Sequence, residues 1–225
     1  MVVNDKKFVY TSTSTARTKK LALKGWFGQT EDLITIREHG DTPSGEYVDV
    51  EVMKLIHFDN IATKIVSDIA SNINRDESTH IAIEGYSFSS AAGPLIDLTT
   101  LGSLIRQKII EAKFKIPENG RYFDVLPPTY LKSLAAKLTY PATPKNKKGD
   151  LEYRNKEGVA GGSFKKHEIY KALTENDNLK CEWVEFLRSV SDEILPMKSI
   201  PKPIEDINDA KILYEIIRNG LLTNK

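Results

Sequence analysis

The sequence predicts an α/β fold in which helices flank a mixed sheet, and three observations support this prediction. Short runs rich in β-branched and aromatic residues occur at 7–12, 21–26, 33–37, 80–83 and 122–126. Longer segments with apolar residues at helical spacing, at 50–74 and 95–113, separate the later runs. Only tight polar turns separate the first three of these short runs. Strands joined by turns pair antiparallel, and strands joined through helices pair parallel, so we expect the fourth and fifth strands to run parallel to the first.

The helix predicted at 50–74 shows the clearest periodicity in the chain. Ile61, Ile65, Ile69 and Ile73 recur at every fourth position. Such a stripe lies on one side of a helix, so this helix is expected to pack onto the sheet. It then leads into the strand at 80–83.

Charge and cysteine content limit the function classes. The chain has 225 residues with 32 Lys and Arg against 31 Asp and Glu, which gives a net charge of +1. A nearly neutral chain neither requires nor excludes nucleic acid, and any basic surface must be local. The single cysteine, Cys181, excludes an intramolecular disulfide and a cysteine-based zinc site.

The distribution of residues along the chain predicts a single domain spanning 1–225. No Gly/Ser/Pro-rich linker separates its apolar blocks, but residues 139–163 lose all periodicity and carry prolines, lysines and glycines. We expect a flexible basic loop insertion there. No stretch reaches the roughly 20 apolar residues of a membrane span, and no apolar signal core follows the N-terminus, so a soluble protein without a membrane partner is expected.

The run from His80 to Ile83 is nearly continuous in apolar residues, which predicts a buried strand, and Glu84 follows where this strand leaves the core. An isolated buried carboxylate costs several kcal/mol, so Glu84 must face a cleft, a cation or a hydrogen-bond donor. Ligands bind at the carboxyl ends of strands in open α/β sheets. A Glu that simply reaches solvent is the alternative.

Two further acids open the last predicted helix. Asp206 and Asp209 are three residues apart and so share one helix face, from which both could reach Glu84. Hard cations such as Mg²⁺ prefer oxygen ligands, and a pair of such ions about 4 Å apart can hydrolyse a phosphodiester. The alternative is that these acids only favour the helix macrodipole, by roughly 0.3–1 kcal/mol.

Together, Glu84-Gly85-Tyr86-Ser87-Phe88 and Glu205-Asp206-Ile207-Asn208-Asp209-Ala210 resemble the RuvC-like Holliday junction resolvases of the ribonuclease H-like superfamily, particularly the phage members. In that family a Glu ends the fourth strand and a D-x-x-D-A pair begins the C-terminal helix. The resemblance implies a ribonuclease H-like mixed five-stranded sheet flanked by helices. It also implies a site in which Glu84, Asp206 and Asp209 are both catalytic residues and ligands of Mg²⁺ or Mn²⁺. Branched DNA would be the substrate, and a homodimer the assembly.

Lysines near these motifs are candidates for binding the phosphates of nucleic acid. Lys132 lies in a family-like PP-T-x-L-K stretch after the fifth strand. The basic loop and the helix that follows it add more candidates: Lys145, Lys147, Lys148, Lys165 and Lys166. Clustered lysines attract phosphate, but a solvated hinge would have the same composition, and both interpretations stay open.

The first strand departs from the family pattern. The family carries an essential Asp there that bridges both metal ions, whereas this sequence has hydroxyl residues, so Tyr10 or Thr11 would occupy the place of the missing acid. A hydroxyl is a poor replacement, because two adjacent Mg²⁺ ions require negative charge.

Two functions therefore compete. The first is a phage-type resolvase-like protein that acts on branched DNA with weak or lost cleavage. The second is a catalytically inactive relative that serves as a protein-binding adaptor in phage infection, for example in protein sorting or import. Whether the chain is an enzyme stays open. The expected location is the cytoplasm, which would be that of the host cell for a phage protein.

Overall fold

A computed structural model describes residues 1–12, 24–86, 92–145 and 150–222 of the chain. Its strands are β1 (Val2–Val3), β2 (Lys6–Ser12), β3 (Thr35–His39), β4 (Ala82–Glu84), β5 (Asp124–Leu126), β6 (Ala142–Pro144) and β7 (Leu151–Tyr153). Its helices are α1 (Lys24–Thr30), α2 (Tyr47–Ala70), α3 (Ala92–Glu111), α4 (Pro128–Thr139), α5 (Lys166–Thr174), α6 (Glu182–Ser189), α7 (Ser191–Ile194) and α8 (Ile204–Arg218), and a 3₁₀ turn covers Gly161–Ser163. The α/β class predicted from the sequence is therefore correct.

The first sheet has the order β1-β2-β3. β1 and β2 form an antiparallel hairpin in which Val2 lies opposite Lys7. Its two-residue turn consists of Asn4 and Asp5, with φ of 46° and 63°. Asn and Asp tolerate such positive φ values, and turns of this kind match the twist of paired strands. β2 then pairs with β3 in parallel, from Phe8 opposite Thr35 onwards.

Two smaller sheets complete the strand pairing. β4 and β5 are parallel, with Ala82 opposite Asp124 and Glu84 opposite Leu126. β6 and β7 are antiparallel. Among the described residues, β4 has no hydrogen-bonded neighbour other than β5, so the expected five-stranded sheet is divided into separate small sheets.

The predicted second strand at 21–26 is wrong where the structure describes it. Residues 24–26 belong to α1, and residues 21–23 lie outside the described part of the chain. The Thr30 hydroxyl donates to the Trp26 carbonyl at 2.8 Å, closing a helical turn, and Trp26 itself is buried in the core. With a helix between them, β2 and β3 are connected by a segment long enough for a crossover, so they pair parallel instead of antiparallel.

The predicted loop at 139–163 contains more regular structure than expected. It includes β6, β7 and the 3₁₀ turn, while residues 146–149 lie outside the described part of the chain. The 3₁₀ turn packs directly on α4. A Cβ atom added to Gly161 would lie 2.5 Å from the Cβ of Ala136 and 3.1 Å from the Cα of Ser133. Only glycine fits this approach, because real Cβ atoms do not come so close to other heavy atoms.

The largest apolar cluster lies among α4, α5, α6 and α8. Tyr170 and Trp183 are both fully buried in it, and the Trp183 indole N–H donates to Asn208 Oδ1 at 3.0 Å. A smaller cluster, which includes Val66, Ile69, Ile109 and Phe114, lies where α2 and α3 meet. The chain thus has a broad C-terminal core and a narrow one beneath α2.

The N-terminal half of α2 leaves apolar side chains in solvent. Val48, Val52, Leu55 and Ile56 are 75%, 59%, 51% and 58% exposed, and their spacing puts them on one side of the helix. We call these four residues the apolar face. On the neighbouring α3, Ile96 is also 61% exposed. No helix in the described ranges is both long and apolar enough to cross a membrane.

Candidate functional site

Glu84 ends β4, as predicted, and its carboxyl group is half-buried. Burial raises its pKa, and the negative charge of Asp209 raises it further, against the opposing effect of Lys166 and Lys132. Asp209 belongs to α8, which packs against β4. Glu84 and Asp209 therefore interact electrostatically across the strand end.

A lysine occupies the centre of this group of acids. The Lys166 ammonium group forms an ion pair with Asp209 and lies 3.3 Å from a carboxylate oxygen of Glu205. Burial lowers the pKa of Lys166, but the hydrogen bond to Asp209 and the charges of both acids outweigh this effect and raise it on balance. Lys166 is therefore held in its charged form beside the acids.

The side chain of Asp209 is more buried than that of its ion-pair partner Lys166. Its pKa is raised, chiefly by burial, and the charges of Glu205 and Asp206 add to this effect. The hydrogen bond and the charge of Lys166 act in the opposite direction but do not cancel it. Lys166 outweighs the repulsion from Glu205 and Asp206, so burial accounts for the raised pKa of Asp209.

A second lysine neutralises the outer part of the cluster. Lys202 forms an ion pair with Asp206, four residues on, and lies 3.5 Å from Glu205. The Asp206 side chain is 54% exposed. We call the carboxylates of Glu84, Glu205, Asp206 and Asp209, with the ammonium groups of Lys132, Lys166 and Lys202, the acid–lysine cluster.

This arrangement does not fit a pair of magnesium ions. Mg²⁺ requires several carboxylate or water oxygens in octahedral geometry, whereas here an ammonium group lies against Asp209 and Glu205. Within residues 1–12, 24–86, 92–145 and 150–222, no three His, Cys, Asp or Glu side chains are grouped so that they could hold a metal ion.

Tyr10, one of the two residues predicted at the place of a first-strand acid, contacts α2. Its hydroxyl donates to Asp68 Oδ2 at 2.7 Å, toward α2. Arg37 of β3 holds the same carboxylate, with Nη2 2.7 Å from Asp68 Oδ1 and Nε 3.0 Å from Oδ2. Tyr10 therefore belongs to a separate ion pair that joins β2, β3 and α2. Thr11, the other candidate, is half-buried opposite Glu38 in the β2–β3 ladder.

An acid near the first strands does contact α8, but at another point. Asp5, in the turn between β1 and β2, accepts a hydrogen bond from Lys211 at 2.5 Å. Lys211 is fully buried and also lies 2.6 Å from Glu215, which is 2% exposed. Hydrogen bonding and charge from Lys211 lower the pKa of Asp5 despite the opposing effect of burial. This triad ties the first hairpin to α8.

The predicted phosphate-binding lysines have divergent environments. Lys166 forms an ion pair with Asp209, and the charge of Lys132, on α4, lowers the pKa of Glu84 against the larger effect of burial. Lys165 is exposed at the start of α5, where its backbone N–H donates to Glu168 Oε2 at 2.7 Å. Lys145 is exposed just after β6. Lys147 and Lys148 lie outside the described residues, as do Ser87 and Phe88 of the Glu84 motif.

Sequence reasoning named Lys132 and Lys166 as phosphate-binding candidates but missed their place beside the acids, and it did not single out Lys202. The spacing of Lys202 and Asp206, four residues apart, is a signal for such a pair. No comparable signal links Lys166 to Asp209, because they are 43 residues apart and meet only through packing of α5 on α8. The Asn4-Asp5 turn could have been recognised from its composition.

Three comparisons with known proteins give no further identification. No family model, no curated protein and no solved structure matches the chain.

Proposed function

We propose that this chain is a protein-binding adaptor built on a resolvase-like framework, with a degenerate acidic site that does not cleave DNA. The observation that carries the proposal is the apolar face of α2. Monomers rarely expose contiguous apolar patches beyond roughly 300–600 Å² without a binding role. Four large apolar residues on one helix side, each more than half exposed, with Ile96 also exposed on α3, are typical of a surface that another protein covers.

The acid–lysine cluster supports the loss of cleavage. Two-metal hydrolysis needs negative charge that is free to bind cations, whereas Lys166 and Lys202 already compensate Glu205, Asp206 and Asp209. A metal would have to displace a bound ammonium group. The place of the family's first-strand Asp is not filled by Tyr10, whose hydroxyl is committed to Asp68. These contacts favour a structural use of the acids over a catalytic one.

Binding to branched DNA, with weak or lost cleavage, is the second candidate. The exposed Lys165 and Lys145, together with Lys147 and Lys148 of the same basic segment, favour it. Phosphate attraction needs only clustered positive charge and survives the loss of a metal site. In this alternative Lys166 would contribute little, because its ammonium group is paired within the protein.

The experiment for the adaptor function uses a photo-crosslinking amino acid at Val48, within the apolar face. We expect crosslinks to a defined protein partner in cells that contain the natural proteome, and we expect Leu55→Glu to abolish them. The matched control is Leu151→Glu on β7, where the leucine is 61% exposed against 51% for Leu55. Crosslinks that persist in Leu55→Glu, or none above background, would contradict the proposal. A crosslink to a second copy of the chain would identify the homodimer instead.

Cleavage is tested separately on a four-way DNA junction with Mg²⁺ or Mn²⁺. We expect no product above the level of a Glu84→Gln variant. Product that depends on Glu84 would show that the site is active and would overturn the degenerate-site part of the proposal. Binding to the same junction across a salt series tests the DNA alternative, with Lys165→Ala as the variant and Lys64→Ala, on exposed α2 surface, as its control.

A further inference from the structure

A groove with apolar walls separates the β1-β2-β3 sheet from the β4-β5 sheet. Its volume is about 500 Å³, and it lies between the free side of β1 and the free side of β4. Ile69 and Ile109 line it from α2 and α3, and Leu213 and Ile217 line it from α8. The groove therefore has helices above and below it and a strand at each side. A central strand of a sheet that is covered by helices on both faces has the same surroundings.

The backbone of β4 presents unpaired hydrogen-bonding groups to this groove. The Asp124 N–H donates to the Ile81 carbonyl at 2.9 Å, and the Gly85 N–H donates to the Leu126 carbonyl at 2.7 Å. In a parallel ladder, residues 81, 83 and 85 therefore bond to β5, and the N–H and C=O groups of Ala82 and Glu84 point away from it. Within the described residues no strand pairs with that side.

β1 has a matching free side. Met1 and Phe8 exchange two backbone hydrogen bonds, each of 2.9 Å, so they form a hydrogen-bonded pair of the antiparallel ladder. The next pair, Val2 and Lys7, is then the non-hydrogen-bonded kind, and the N–H and C=O of Val2 point away from β2. Val2 also lines the groove. Both sides thus offer backbone donors and acceptors in an otherwise apolar space.

The two ends of the groove carry opposite charges. Glu84 lines one end, and its carboxylate forms no hydrogen bond or ion pair with the other described residues. Arg218 also lines the groove, and it lies nine residues, or about 14 Å of helix, beyond Asp209, whose charge acts on Glu84. Its guanidinium group is 61% exposed and reaches Asp5 only at 4.0 Å and Glu215 at 3.8 Å. An occupant with a cation at one end and an anion at the other would complement both.

We propose that this groove binds an extended apolar peptide segment of a partner protein, which inserts as a strand between β1 and β4 and places a basic residue at Glu84 and an acidic residue at Arg218. The inference rests on the proposed protein-binding role but uses a surface distinct from the apolar face. An extended backbone can satisfy Val2 on one side and Ala82 and Glu84 on the other. Its side chains on both faces would meet helices, so they should be apolar.

Other occupants fit the same space less well. A compact apolar molecule would fill the volume but leave the backbone groups of β4 without partners, and such unsatisfied groups are costly in an apolar site. A helix presents no free backbone donors along its length and cannot pair with strand edges. The distance from His80 to Glu84 corresponds to about 13 Å of strand, which sets the length of the segment at about five or six residues.

The test uses a fluorescein-labelled peptide of four alternating valines and isoleucines, with glutamate at one end and lysine at the other, together with the peptide of reversed order. The matched control has the same side chains but N-methyl groups on alternate amides, which removes strand donors. Fluorescence anisotropy should show saturable binding of at least one of the two peptides. N-methylation of that peptide should weaken its binding at least tenfold. Equal binding of the methylated peptide, or no binding of either order, would overturn the proposal.

Variants locate the peptide on the protein. Ala210→Phe fills the groove from α8 and should weaken binding at least tenfold, whereas Ala142→Phe, on exposed β6, should not change it. Glu84→Gln should weaken binding of the peptide that carries lysine. It should not weaken binding of a peptide in which glutamine replaces that lysine. Equal effects on both peptides would overturn the assignment of Glu84 as the partner of the basic end.

Hydrogen exchange tests the free edges directly, without any variant. The amides of Ala82 and Glu84 should exchange fast in the free protein and slow at least tenfold with the peptide, whereas the Ile83 amide, bonded to β5, should be protected in both. Equal protection of all three in the free protein would mean that β4 is already paired, which overturns the proposal. The two proposals can fail separately. If the peptide binds but the apolar face gives no crosslinks, the proposed role of the apolar face is wrong and the groove proposal stands. If crosslinks form but no peptide binds, the groove proposal is wrong and the role of the apolar face stands.

Discussion

Helices α8 and α2 carry apolar stripes of similar strength but lie in different environments. In α8 the stripe that includes Ile204, Ile207, Ile212 and Ile216 is fully buried. In α2, burial begins only at Phe58, and the preceding turns expose the apolar face. Helical periodicity shows which side of a helix prefers to be covered, but it does not show whether the same chain provides the cover.

The largest expected effect of a substitution in this comparison is that of Trp183→Ala. Trp183 is fully buried and loses both its packing and its hydrogen bond to Asn208. We expect a loss of about 3–5 kcal/mol in the free energy of unfolding, measured by urea denaturation. The control is Tyr47→Ala on α2, where the side chain is 79% exposed and the change should stay within about 0.5 kcal/mol. Similar losses for the two variants would contradict the distinction between covered and uncovered regions.

The next effect concerns the buried triad of Asp5, Lys211 and Glu215. Lys211→Met removes the nearer cation and leaves Glu215, only 2% exposed, with no ion-pair partner but the largely exposed Arg218 at 3.8 Å among the described residues. We expect a loss of about 3 kcal/mol or more in unfolding free energy, because breaking a buried pair is costly. Adding Glu215→Met should recover part of the loss, since the second change removes the stranded charge. Failure of the double variant to recover any stability would mean that packing, and not charge, explains the loss.

A smaller effect is expected at Asp68, which joins β2, β3 and α2. The hydrogen bond from Arg37 is the main cause of its lowered pKa, and the Tyr10 hydroxyl adds to this effect, while burial opposes it. Because its folded-state pKa is depressed, Asp68 stabilises the fold above the ordinary carboxyl pKa of about 4, and this contribution is lost as pH falls through the lowered value.

Asp68→Asn should therefore cost about 1 kcal/mol at neutral pH, a modest value because Arg37 is 43% exposed and solvent screens the pair. Urea denaturation at a series of pH values from 7 to 2 provides the measurement. The stability difference between the natural chain and the variant should shrink toward zero at the acid end. A difference independent of pH would exclude an ionic contribution.

The smallest expected effect on stability is in the apolar face. Val52→Gln should change the unfolding free energy by no more than about 0.5 kcal/mol, because Val52 is 59% exposed. The matched change Val184→Gln, at a fully buried residue of α6, should cost several times more. Thermal unfolding of both variants separates the two cases. A large loss for Val52→Gln would indicate that the N-terminal half of α2 is covered.

The helices of this chain could be predicted from sequence more fully than its sheets. The stripes around Ile61 and Ile207 locate α2 and α8, because helical periodicity depends on local spacing alone. Strand partners depend on connections and packing between distant segments, so the parallel pairing of β2 and β3 was not predictable from composition. The residues at 24–26 are ambiguous between strand and helix, and burial of Trp26 decided for helix.

The candidate site was predictable in its acids but not in its counter-charges. The strand end at Glu84 and the paired acids at Asp206 and Asp209 follow from local patterns, and the pKa of Glu84 does respond to Asp209. Lys166 comes from a segment with no periodic relation to α8, so only the folded chain brings it to Asp209. A list of carboxylates from sequence therefore gives no measure of the net charge around them.

The close approach of Gly161 to α4 bears on the acid–lysine cluster through the chain that follows it. Lys166 comes five positions after Gly161, whose lack of a side chain lets the 3₁₀ turn lie directly against Ala136. Any larger residue would lift this turn away from α4 and carry the start of α5 with it. A steric requirement at Gly161 is thereby linked to the position of a charge, because Lys166 reaches Asp209 from the start of α5.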